Sequence, residues 1–233
     1  MATSQQVPIV PINYPPTQIP PPTNTDAKFL VDFLNPRVAN RLDVGNVSLR
    51  LAQIQSLSYD ELMQFPICVE YMFPVAGFEP FDQQALVYAR SCNPILQDMR
   101  ISAQHLMFFF GFDVYSTIEG EMIISYNTDQ PRNFARWLKN TDPSHTWINR
   151  MLESLRIFGL HHEASRIYTS ILDVTRKLGC PVSPITLMNW GATMNDPLYV
   201  LSKGYLNYQD QFNVYQNFPV GCNTTSATIP AQR

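Results

Sequence analysis

Apolar residues recur at helical spacing along most of this chain, most regularly over 142–179. In DPSHTWINRMLESLRIFG they stand at Trp147, Ile148, Met151, Leu152, Leu155 and Phe158, one face of a helix. Asp142 suits the N-cap, Pro143 the first helical position, and Gly159 the residue just past the end. The next stretch, LHHEASRIYTSILDVTRKLG, repeats the pattern at Ala164, Ile167, Tyr168, Ile171, Leu172, Val174 and Leu178, and Gly179 stops it. Two apolar faces joined by so short a link fold against each other. The pattern predicts a central helical hairpin over 142–179.

Further helices are predicted on either side. Asp26 caps AKFLVDFL, a helix covers about 47–56, and another opens at Ser58 with Asp60 and Glu61 in its first turn. Pro66 interrupts that helix, and ICVEYMF resumes it as far as Pro74. After a loop over 74–81, helices are expected over about 82–91 and from Pro94 through a Phe-rich end at Phe108, Phe109, Phe110 and Phe112. Residues 113–126 alternate weakly, as a small hairpin or an irregular loop would. A short helix is predicted over 131–140, two more at Ser183-Pro184 and Asp196-Pro197, and a last one over 205–215. The expected fold is all-α: a single multi-helix domain over 26–217 with extended N- and C-terminal arms.

The arms differ from the body in kind. Residues 1–25 hold seven prolines and no charged side chain, and between the prolines stand Val7, Ile9, Val10, Ile12, Tyr14 and Ile19. Such a segment is no helix; it is a stiff, polyproline-like strand with apolar teeth that costs little to order in a groove. Residues 218–233 form a Thr/Ser/Pro tail.

Charge alters the picture more than size does. Charged residues make up only 15% of the 233, well below the usual ~25%. A surface so poor in charge suits a protein surrounded by copies of itself, so a homo-oligomer is expected. The net charge of −3 excludes a generally basic nucleic-acid binder, but not a local groove. Eight of the sixteen basic residues fall within 132–177 against four acids, whereas the rest of the chain has eight against fifteen. Arg132, Arg136, Lys139, Arg150 and Arg156 are the candidate contacts to single-stranded RNA, with Trp137 and His145 as stacking faces beside them.

Other chemistries find little support. The four cysteines show no C-x-x-C and no nearby paired histidine, so they read as buried free thiols in a reducing, cytoplasmic compartment. His161 and His162 are adjacent and point different ways, so neither a metal site nor a cofactor is expected. No P-loop, nucleophile elbow or H-E-x-x-H motif occurs, which predicts a non-enzymatic protein with no small-molecule substrate. No charged, apolar leader opens the sequence and no apolar run approaches ~20 residues, so neither secretion through a signal peptide nor a membrane partner is expected.

Residues 69–179 resemble the conserved domain of the opioid growth factor receptor family. Val69-Glu70-Tyr71-Met72-Phe73-Pro74 stands where that family has an IQWLFP-like pattern, and Phe78-Glu79-Pro80 where it has an FNP-type loop. Phe109-Phe110-Gly111-Phe112 matches its FxGL-like helix end. Arg150, Ser154-Leu155-Arg156, Gly159-Leu160 and Ala164 match its LRITRIL-x-SLRLLGLEEEA run. The resemblance implies a helical topology and carries no catalytic residues with it.

Two functions fit these readings. One is a structural subunit that self-assembles through its arms, such as a virus coat or nucleocapsid protein packaging RNA. The other is an intracellular helical adaptor resembling the receptor family's domain.

Overall fold

Local capping chemistry sets most element boundaries. The computed structural model describes residues 19–116, 122–126 and 131–206. Helix α1 (Thr25–Leu34) opens at Asn24, whose side chain accepts from the amides of Asp26 and Ala27, two residues before the predicted Asp26 cap. Ser58 caps α3 (Tyr59–Gln64) in a reciprocal box with Glu61. After Pro66 comes α4 (Ile67–Met72). Asp82 caps α5 (Gln83–Ser91), and α6 (Asn93–Phe109) carries Pro94 in its first turn.

Two small antiparallel sheets correct the all-α expectation, and the fold is mostly helical rather than wholly so. Where a helix over 47–56 was expected, β1 (Arg41–Val44) and β2 (Val47–Arg50) pair around Gly45-Asn46, and only Leu51–Ile54 is helical (α2). Leu42 and Val44 alternate inward and a Gly-Asn step favours the tight turn, so strand pairing wins over four residues of weak helix propensity. Over 112–126 the hairpin alternative holds: β3 (Phe112–Ser116) pairs with β4 (Met122–Tyr126).

The C-terminal half begins with α7 (Pro131–Trp137), followed by α8 (Ser144–Ile157) and α9 (His161–Lys177). Gly159 joins the last two at φ +88°, a conformation that costs other residues a Cβ clash. The Leu160 amide donates to Leu155 O at 2.7 Å and the Gly159 amide to Arg156 O at 3.0 Å, closing the helix end in a Schellman motif. All six apolar residues singled out on α8 are buried, as are Ala164, Ile167, Ile171 and Val174 of α9. Leu178 is not; it lies 57% exposed past the end of α9, and Cys180 just beyond it is exposed rather than buried as expected, whereas Cys68 is buried. Then α10 (Pro184–Asn195) and α11 (Leu198–Leu201) pack on α8.

The elements form two groups. Helices α1, α4, α5 and α6 pack on one another, and α8 packs with α9, α10 and α11. Between the groups lies the second sheet, with β3 against α6 and β4 against α9. One hydrophobic cluster runs through both groups, from Ala27 to Leu206. Phe81 stacks on Phe158 across the join, at 5.5 Å and 10°. An Arg100–Glu163 ion pair at 2.6 Å ties α6 to α9. No helix among the described residues is long and apolar enough to cross a membrane.

The arm residues Val7, Ile9, Val10, Ile12 and Tyr14, the tail over 218–233 and most of the helix expected over 205–215 lie outside the described residues. Ile19 lies within them and is half-buried.

Candidate functional site

The five candidate RNA contacts do not form one surface. Arg156 is 8% exposed and donates to the carbonyl of Thr193 on α10. Arg150 is half-buried: its Nε donates to Phe73 O at 2.9 Å, its Nη2 to Glu70 O at 3.4 Å, and its guanidinium lies 5.2 Å over the Phe78 ring. Those two carbonyls end α4, so Arg150 serves as that helix's C-terminal cap. Burial pulls the Arg150 guanidinium below its ordinary pKa, against the pull of Glu70 and Glu153. Arg156 is turned into the protein, and Arg150 is held against the end of α4.

Three candidates remain together at α7. Arg132 and Arg136 are one turn apart in that helix, although the Arg132 side chain lies outside the described residues. The Arg136 guanidinium sits 4.9 Å over the Tyr59 ring. Lys139 is exposed and lies 3.4 Å from Asp142. Burial alone would raise the Asp142 carboxyl, but the Ser144 hydroxyl and amide and the nearby Lys139 outweigh it and hold its pKa below the ordinary value.

The expected stacking faces are absent. Trp137 is 0% exposed, and its indole donates to Phe110 O at 2.9 Å. His145 is buried and donates from Nε2 to Trp137 O at 2.7 Å, while Trp190 donates to His145 O. These rings pack on one another (Trp137–Trp190 6.4 Å, His145–Trp190 5.5 Å), each less than a tenth exposed.

Two clefts do reach the surface. One, of about 440 Å³, lies between α4, α8 and α10, with Trp147, Arg150, Glu153 and Trp190 in its walls. Burial raises the Glu153 carboxyl, and Arg150 and Lys203 oppose that shift. The other, of about 510 Å³, is apolar and lies between β4, α7 and α9. Its lining was not legible in the sequence, because Tyr126, Phe134 and Leu138 fit no helical stripe shared with Val174 and Leu178. Among the described residues no group of three His, Cys, Asp or Glu side chains is placed to hold a metal ion.

No protein-family model, curated protein or solved structure matches this chain. Some of the residues quoted for the resemblance to the opioid growth factor receptor domain touch one another. Arg150 reaches Glu70 and Phe73 of the first motif and covers Phe78 of the second, which meets Tyr71 edge-on at 5.0 Å. Gly111 of the third has φ +88°, and a Cβ there would stand 2.9 Å from the Phe134 ring. All of these roles are architectural.

Proposed function

We propose that this protein is a non-enzymatic structural subunit that self-assembles through its terminal arms, most simply as a coat or nucleocapsid-type protein around RNA. The observation that carries this reading is the apolar, charge-poor exterior. On α10, Ile185 and Met188, one turn apart, are 70% and 71% exposed, and Tyr115 and Val200 are exposed on other elements. Exposed apolar side chains on so weakly charged a chain favour burial against further copies. In this reading a hairpin-centred helical body presents the contacts and the arms tie neighbouring bodies together.

The RNA half of the proposal rests on Arg132, Arg136 and Lys139 alone, since Arg150 and Arg156 are spent on backbone carbonyls. A few phosphate contacts per subunit suffice when many copies sum them along one strand. The test is sedimentation and negative-stain microscopy of the purified full chain, with the 260/280 nm absorbance ratio of the particles after nuclease treatment. Filaments or shells that retain RNA are expected, and Arg136→Ala/Lys139→Ala should lower the salt-dependence slope of RNA binding by about two units. Protein-only particles would remove the RNA half. A discrete monomer would overturn the assembly reading and leave the adaptor.

A further inference from the structure

The apolar cleft between β4, α7 and α9 has a well-defined chemistry. Tyr126 and Phe134 form aromatic walls, their centroids 6.5 Å apart and their planes 73° from one another, and Leu138, Val174, Leu178 and Pro181 add aliphatic surface. Lys177 stands at its edge, but its ammonium is already met: Asp173 lies 2.7 Å away, the Tyr126 hydroxyl 3.4 Å, and the Tyr126 ring 4.9 Å below. Among the described lining residues Lys177 alone is charged, and a charged occupant would lose its hydration against the apolar walls. The cleft therefore selects a neutral, apolar ligand. Its size is that of a site for a few side chains, and aromatic-lined grooves of this kind suit polyproline II segments.

The chain carries such a segment. Val7-Pro8-Ile9-Val10-Pro11-Ile12 is the tripeptide Val-Pro-Ile written twice. Polyproline II repeats every three residues at about 3.1 Å each, so Val7 and Val10, Pro8 and Pro11, and Ile9 and Ile12 would stack in three ridges with teeth about 9 Å apart. Each ridge is uniform, and no charged side chain occurs within residues 1–25. Proline has already surrendered much of the backbone freedom that docking would otherwise cost.

We propose that the β4–α7–α9 cleft receives the Val7–Ile12 segment of a second copy of this chain. This rests on the assembly reading and names its contact. A neighbour's segment is favoured because the arm's root is held elsewhere: Thr23 donates to Gln84 of α5, both from its amide and from its hydroxyl. Along the packing order, α6 and β3 stand between α5 and β4. The seven steps from Ile12 to Ile19, the first described residue, span at most about 25 Å when fully extended.

The experiment uses the full chain with a benzophenone side chain at Val10 and, separately, at Leu178. Equal amounts of isotopically light and heavy protein are mixed before assembly. Crosslinks from Val10 should join light to heavy chains and map to 134–138 or 174–181, and the Leu178 probe should map back to 7–12. Leu178→Asp, at an exposed position, should cut the Val10 crosslink about tenfold or more without changing the helical circular dichroism. Crosslinks confined to one copy, capture of residues 207–233 by the Leu178 probe, or a yield indifferent to Leu178→Asp would each overturn the proposal. Sedimentation of the same samples separates its fate from that of the parent reading: particles with the arm docked elsewhere sink this contact alone, and a monomer sinks both.

Discussion

Arg150→Ala separates the two roles open to the arginines, RNA contact and internal support. Arg150 donates to Phe73 O at 2.9 Å and Glu70 O at 3.4 Å while its guanidinium covers Phe78. Truncation strips the end of α4 of its cap and leaves two carbonyls short of a donor. A hydrogen bond from a charged group is worth about 1.5–3 kcal/mol, and the longer contact here belongs near the bottom of that range. A half-buried cation–π contact adds about 1 kcal/mol. Together these predict a loss of about 4–5 kcal/mol in urea or guanidinium melts at unchanged m-value. Arg150→Lys keeps the charge but loses the planar fork, so it should recover less than half of that loss. RNA affinity per folded molecule should not move. A loss below about 1 kcal/mol, or full rescue by lysine, would refute the capping role.

Leu155→Ala and Ile171→Ala each remove a side chain that is fully buried where α8 meets α9, and denaturant melts should show losses of roughly 2–5 kcal/mol. Gly159→Val places a β-branched residue at φ +88° and should cost at least about 1–2 kcal/mol on the same assay, whereas Gly159→Asn should cost less. Burial, reinforced by Arg156 and Arg90, pushes His161 down from its ordinary 6.5 to about 4. The folded state thus favours the neutral ring, and the stability this confers is present above pH 6.5 and lost as pH falls toward 4. His161→Gln should flatten that acid limb in melts at pH 7 and 4.5, and equal pH slopes in the two proteins would contradict the assignment.

What was legible in the sequence was local. Ser58 with Glu61, Asp82, Ser183-Pro184 and Gly159 each act within four residues, and each marks a helix end where it was expected. The face of α8 was equally clear, because six residues at helical spacing leave one solution. The β1–β2 hairpin was missed because each strand is only four residues long and runs straight into helical Leu51–Ile54. The arginines were harder still. The acceptors of Arg150 lie 77 and 80 residues earlier and are backbone carbonyls, which leave no trace in side-chain pattern. Trp137 and His145 look like exposed aromatic partners in a basic stretch until Trp190 closes over them from α10. The apolar cleft is assembled from β4, α7 and α9, and no single segment announces it.

The assembly claim turns on one deletion. Removing residues 1–18 spares Pro22, which is buried, and Thr23, which is bonded to Gln84, so the helical body keeps its own contacts. Sedimentation velocity of this protein beside the full chain, at equal concentration and with matched circular dichroism, reads the result directly. The account predicts particles from the full chain and a discrete, folded small species from the truncated one. Particles of normal size and yield without residues 1–18 would contradict it.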